Sequence, residues 1–132
     1  MTAVDGFSTR VRRQMLAAAE EAQGWEEVLA RSGDNVVTEV LGDIDTFYQW
    51  QHYPEGDVQD PSTGAQYYYH AHPPETRPGD EHGHFHLFVR PARAGLAVEP
   101  LPLPDFRPPD EPEDLICHLV AVSMDGEGRL RE

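Results

Sequence analysis

The chain has 132 residues, and its 24 acidic and 10 basic side chains give a formal net charge of −14. Such a field repels phosphates and anionic lipid headgroups, so we expect neither nucleic acid nor a membrane as a partner. The one cysteine, Cys117, excludes an intrachain disulfide framework. With no signal-peptide pattern and no apolar run of about 18 residues, we predict a cytoplasmic protein with a single domain over residues 1–132.

The first predicted element is a helix over residues 7–31. Apolar residues recur there at spacings of three and four, and Ser8 or Thr9 can cap the start. Gly24 costs about 1 kcal/mol inside a helix, so a break into two helices is an alternative. The next segment, NVVTEVLGD, fits either a short strand or a helical turn.

Residues 45–90 are predicted to hold three strands, TFYQWQHYP, AQYYYHAH and EHGHFHLFVR, the first of them ending at Pro54. Residues 91–114 contain seven of the twelve prolines and are expected to form an extended surface excursion. Residues 115–132 supply a last strand and an incomplete hairpin that turns at DGEGR. This order predicts an α+β fold, with a helix or helix pair packed on an antiparallel twisted sheet or partial β-barrel.

Five of the seven histidines lie within 17 residues. Alternation at period two places His82, His84 and His86 on one face of the third strand, and His70 and His72 on one face of the second. If these strands pair, opposed Cβ atoms lie roughly 4.5–5.5 Å apart, which suits two imidazoles that ligate one metal ion. Two further histidines lie on other strands: His118, expected on an inward face of the last strand, and His52 on the first.

This pattern predicts a metalloprotein. Imidazole is a ligand for zinc, copper, iron and nickel, so we predict a divalent transition metal whose identity is open. The predicted ligands are His70, His72, His82, His84, His86 and His118. Three protein ligands leave a position for water or a small-molecule substrate, and Tyr68 or Glu81 is then the nearest proton donor or base. The nearby carboxylates Asp57, Asp60 and Asp80 could complete the site or orient a ring nitrogen.

Other functions stay open at this point. The histidines could line a metal-free pocket for an anionic or aromatic molecule, or form a structural hydrogen-bonded ladder. The chain could also be a binding or assembly module, because an unpaired last strand invites a partner chain or a second copy of itself. Motifs of serine hydrolases, phosphate-binding loops and helical zinc proteases are absent from the sequence.

The segments HYPEGDVQD, AQYYYHAHP, EHGHFHLFVR and HLVAVSMD resemble those of an uncharacterised bacterial family, from about residue 8 onward. HGHFH is the most specific part. The resemblance implies a domain with no known activity, and family members run on past the last hairpin. The arrangement of His84, His86 and His118 is also similar to cupin metal strands. No carboxylate follows His86 before Glu99, so this is an analogy of arrangement rather than membership.

Overall fold

The structure is a computed structural model, and it describes residues 4–131. It contains an N-terminal helix and a four-stranded antiparallel sheet, which confirms the α+β prediction, and the sheet is not closed into a barrel. The chain divides into two compact units, one ending at Glu39 and one beginning at Val40. Among the described residues, no helix combines the length and apolar character needed to cross a membrane.

The first unit is built on helix α1, Thr9–Arg31. The Ser8 side chain accepts a hydrogen bond from the Val11 amide at 3.3 Å, as expected of a residue that caps a helix. Helix α1 continues through Gly24, so the alternative of a break there is wrong. The ambiguous segment after it forms a short second helix, α2, Val36–Leu41, whose first turn is capped by the Asn35 side chain.

The second unit contains the sheet. Its strands are β1 (Tyr53–Gln59), β2 (Ala65–His70), β3 (Glu81–Val89) and β4 (Cys117–Asp125), and they lie side by side in chain order. Each neighbouring pair is antiparallel, so β1 and β4 are the two edges. Short 3₁₀ helices lie at Pro74–Thr76 and Pro112–Asp114, and residues 90–111 form turns and irregular chain.

The predicted position of the first strand is wrong. Strand β1 begins at Tyr53, whereas the segment 46–52 is a loop and Pro54 lies near the start of the strand. Proline is tolerated at this place because an edge strand leaves some amides unpaired. Two contacts fix the loop: the Trp50 amide donates to the Ala71 carbonyl at 2.9 Å, and the Tyr48 amide donates to the Tyr53 hydroxyl at 2.8 Å.

One face of the sheet, here called the core face, carries the hydrophobic core of the second unit. Its buried side chains include Tyr53, Tyr69, Phe85 and Met124. The Tyr69 side chain is completely buried, and it lies over Gly83, where a Cβ atom would come within 2.7 Å of the tyrosine ring. A side chain at position 83 is therefore incompatible with this packing.

Two bulges interrupt the pairing of β3 with β4. Glu81 pairs with Asp125 and Gly83 with Met124, so His82 is an extra residue in β3. In the second bulge, Leu87 pairs with Val120 and Phe88 with His118, so Leu119 is an extra residue in β4. A bulge shifts the alternation of side chains by one residue, and both bulges change which histidines share a face.

Candidate metal centre

The face opposite the core, here called the histidine face, is assembled by the pairing of β2 with β3. Tyr68 lies opposite His86 and His70 lies opposite His84, so the two predicted strands pair with their histidine-bearing faces aligned. His72 follows β2 on the same side, and its ring centroid lies 4.9 Å from that of His84. Tyr68 and four imidazoles thus meet on one patch of the second unit.

The ring nitrogens of these histidines converge on one point. His70 Nε2 lies 2.9 Å from His84 Nε2 and 3.3 Å from His86 Nε2. In His70, His72 and His84, one nitrogen of each ring lies within 4.8 Å of the others. Two nitrogens that bind one zinc ion at 2.0–2.1 Å in tetrahedral geometry are themselves about 3.3 Å apart. The inner cluster, defined as His70, His72, His84 and His86, therefore has spacings that could hold a metal ion.

Glu81 determines the tautomer of His84. Its Oε1 accepts a hydrogen bond from His84 Nδ1 at 3.0 Å, and its Oε2 accepts one from the Ser123 hydroxyl at 2.5 Å. Burial raises the pKa of Glu81, but the hydrogen bonds from Ser123 and His84 outweigh burial and leave the pKa lowered. A neutral His84 that carries its proton on Nδ1 points a free electron pair from Nε2 at the inner cluster, as metal-binding histidines commonly do.

The surroundings of His70 and His86 favour neutral rings at these two positions. Burial, followed by the neighbouring imidazoles, lowers the pKa of His70 to about 4 and that of His86 to about 4. The His70 residue is only 8% exposed. Because a metal ion competes with protons for the same electron pairs, rings that stay neutral at pH 7 are ready to bind it.

An aromatic wall covers one end of the inner cluster. The Trp50 ring stacks on His72 with centroids 4.3 Å apart and meets His70 edge-on at 5.9 Å. Trp50 has a φ of 67°, a region that side-chain-bearing residues seldom adopt, and such strain concentrates at functional sites. Arg77 donates to the His72 carbonyl at 2.6 Å and so helps fix the backbone beneath this ring.

A second polar group borders the inner cluster on the β1 side. The His52 ring stacks on Tyr68 with centroids 3.6 Å apart, and His52 Nδ1 donates to Asp57 Oδ1 at 2.9 Å. Tyr68 in turn lies against His70 and His86, with ring centroids at 5.3 and 5.0 Å. Burial and then the charge of Asp57 raise the pKa of Tyr68, which keeps its hydroxyl protonated.

The two bulges correct the predicted histidine faces. His82 is turned to the core side, where its Nδ1 lies 2.7 Å from the Tyr69 hydroxyl, so the prediction that it shares a face with His84 and His86 is wrong. His118 is brought to the histidine face, with its Nε2 3.0 Å from His86 Nδ1. It is exposed, so the predicted inward position is wrong as well.

The remaining carboxylates have other partners. Asp60 binds Ser62 and Thr63 in the β1–β2 turn, and those hydrogen bonds lower its pKa to about 2. Asp80 pairs with Arg131 at 2.6 Å. These bonds connect neither carboxylate to a histidine of the inner cluster.

Sequence reasoning misses two residues of this site, Trp50 and Ser123. Trp50 belongs to a segment whose composition predicts a strand, and Ser123 is an ordinary hydroxyl in an apolar run. No local pattern distinguishes either of them. Their roles follow from the loop before β1 and from the register of β4.

Comparison with known proteins identifies the family of the chain and no activity. A family model described as "Domain of unknown function (DUF6969)" matches residues 16–132, so the chain belongs to that family. This confirms the expected membership of an uncharacterised family. No curated protein and no solved structure matches the chain.

Proposed function

We propose that this member of the DUF6969 family is a metalloprotein that binds a divalent transition metal through the inner cluster. The observation that carries the proposal is the convergence of Nε2 atoms from His70, His84 and His86 at 2.9 and 3.3 Å, with His72 beside them. The Glu81–His84 hydrogen bond supports it, because a carboxylate behind a histidine is the usual arrangement around a bound metal.

The donor set narrows the metal to a class. All four groups are imidazoles, which suit zinc, copper, iron or nickel and not magnesium or calcium. Four rings also permit a centre with three of them bound, which leaves a position for water or substrate. A bound ion would supply Lewis-acid or redox chemistry at that position.

The surrounding residues fit a reaction on a small molecule. The Tyr68 hydroxyl is the proton donor on this face, since its raised pKa keeps it protonated. Both oxygens of Glu81 are engaged, by His84 and Ser123, so Glu81 acts as a positioning residue and not as the free base suggested by the sequence. Trp50 shields His72 from water on one side.

A double substitution tests the metal centre. His84→Ala/His86→Ala removes two of the four rings, and we expect loss of stoichiometric metal and of binding in calorimetric titrations with Zn²⁺ or Ni²⁺. The matched control is His82→Gln, which changes a histidine of the same strand on the opposite face. All proteins are prepared without a His tag or chelator, and circular dichroism checks the fold.

The result that would overturn this proposal is unchanged metal content in the folded double variant. A wild-type protein that contains no metal and takes up none would do so too. Fluorescence gives an independent readout, because Trp25→Phe leaves Trp50 as the sole tryptophan. Its emission should be quenched by Cu²⁺ bound beside His72.

A second candidate function is a binding or assembly module. It is favoured by β4, an edge strand on which Leu119 is 62% exposed and Val120 is 48% exposed. Unpaired edges accept strands from other chains. Light scattering coupled to size exclusion separates the candidates: a metal-binding monomer supports the metal centre, and a metal-free oligomer that dissociates on Leu119→Lys supports assembly.

A further inference from the structure

His86 is engaged at both ends of its ring. Its Nε2 faces His70 at 3.3 Å within the inner cluster, while its Nδ1 faces His118 Nε2 at 3.0 Å on the outer side. We propose that a second divalent metal ion binds between His86 Nδ1 and His118 Nε2, so that the His86 imidazole links two metal ions. This rests on the proposed function, because the inner ion occupies the Nε2 side of the same ring.

The second bulge creates this outer site. With regular pairing, His118 would lie on the same side of β4 as Val120 and would point to the core side. The extra residue, Leu119, instead sets His118 opposite Phe88 and turns its ring toward His86. The Phe88 ring packs against His118 with centroids 4.9 Å apart, which restricts the imidazole to this side of the strand.

The surroundings predict an order of filling. The inner cluster contains the buried His70, whereas His118 is exposed and the outer site has two protein ligands. Fewer ligands and more water give weaker binding, so the inner position fills first. The remaining coordination positions of the outer ion face solvent and are open to water or a small anionic ligand.

Charge and protons balance in this arrangement. A neutral imidazole carries one proton on its two nitrogens. When both nitrogens of His86 bind metal, that proton is released to solvent and the ring becomes an imidazolate anion. Its negative charge lies between two cations that would otherwise repel each other, and the net charge of −14 on the chain acts in the same direction.

Copper(II) is the probe, because it binds nitrogen ligands most tightly among the first-row divalent metals and has one unpaired electron. The experiment uses untagged protein with Cys117→Ser, since the neighbouring thiol could otherwise react with copper. Bound copper is counted by elemental analysis after ultrafiltration, and electron paramagnetic resonance is recorded after each equivalent. We expect two bound equivalents, with a signal that rises with the first and falls with the second as the two spins couple through the imidazolate.

His118→Ala is the decisive variant. We expect it to bind one equivalent with a full, uncoupled signal, whereas His82→Gln, which changes a histidine on the opposite face, should leave two equivalents and the coupling. One equivalent in both wild type and His118→Ala would overturn the second site and leave the proposed function standing. Two equivalents with additive signals would overturn the link through His86. No copper in the wild type would overturn both proposals.

Discussion

The two faces of the sheet are made by the same strands, yet they are stabilised by different physics. On the core face, Tyr69 is buried against Phe47 and Phe85, and its contribution comes from apolar area removed from water. On the histidine face, imidazoles meet with nearly perpendicular ring planes at centroid distances near 5 Å, and His70 shares hydrogen bonds with His84 and His86. The first face stabilises the fold, and the second concentrates electron pairs that folding alone does not require.

The largest expected effect comes from truncating one tyrosine on each face. Tyr69 is fully buried, so Tyr69→Ala should lower the free energy of unfolding by about 3–5 kcal/mol, as for other large aromatic residues. Tyr68, its half-buried neighbour, should cost about 1 kcal/mol when changed to Ala. Urea unfolding of both variants in chelator measures the difference. Equal losses of unfolding free energy would mean that the histidine face contributes as much to stability as the core face.

Gly83→Ala tests the close packing between β2 and β3 that the buried Tyr69 requires. An added Cβ would lie 2.5 Å from the His70 carbonyl oxygen and 2.7 Å from the Tyr69 ring, so β2 and β3 must move apart. We expect a loss of about 1–3 kcal/mol in unfolding free energy. Gly126→Ala is the control, because a Cβ atom added there would have no neighbouring atom within 4 Å. Similar stabilities for the two variants would argue against the close packing at Gly83.

Glu81→Gln affects the histidine face alone. The variant can no longer hold His84 through a charged hydrogen bond, and metal affinity should fall about 10–100-fold, as when such supporting groups are lost elsewhere. Asp80→Asn is a matched control, one residue away and paired with Arg131 outside the cluster. Calorimetric titration with Zn²⁺ compares the two. If both variants keep wild-type affinity, Glu81 does not position a metal ligand.

The sequence predicts the strands that carry the histidines better than it predicts which of the histidines share a face. Alternation in β2 and β3 predicts the two strands and allows a pairing that brings their histidines together, and the structure shows that pairing, with His70 opposite His84. It does not locate the bulges, because the position of an extra residue depends on the pairing with the neighbouring strand and not on the alternation within one strand. The sequence therefore assigns His82 to the wrong face and His118 to an inward position.

The loop before β1 shows a second limit. TFYQWQHYP has the composition of a strand, but tertiary contacts override that preference. The Trp50 amide pairs with Ala71, and the ring is thereby placed on His72. Such a long-range contact is not encoded in a local pattern, so the sequence alone does not predict the aromatic wall of the site.

A further expected effect is a pH dependence of stability that belongs to the histidine face. The pKa of His70 and that of His86 are lowered to about 4, whereas histidines in an unfolded chain titrate near 6.5. Between these values the unfolded state binds more protons than the folded state, so the metal-free protein loses stability as pH falls from 6.5 toward 4. Above pH 7 these two groups contribute no slope.

Urea midpoints measured in chelator between pH 7.5 and 4.5 check this dependence. His70→Gln/His86→Gln should have a shallower slope, because the two rings no longer titrate. The carboxylates with the strongest shifts act elsewhere: the pKa of Asp60 and that of Asp125 are lowered to about 2 by hydrogen bonds, so their contribution is lost only at more acidic pH. An unchanged slope in the double variant would place the proton uptake outside the inner cluster, and the neutral rings that favour metal binding would then lack support.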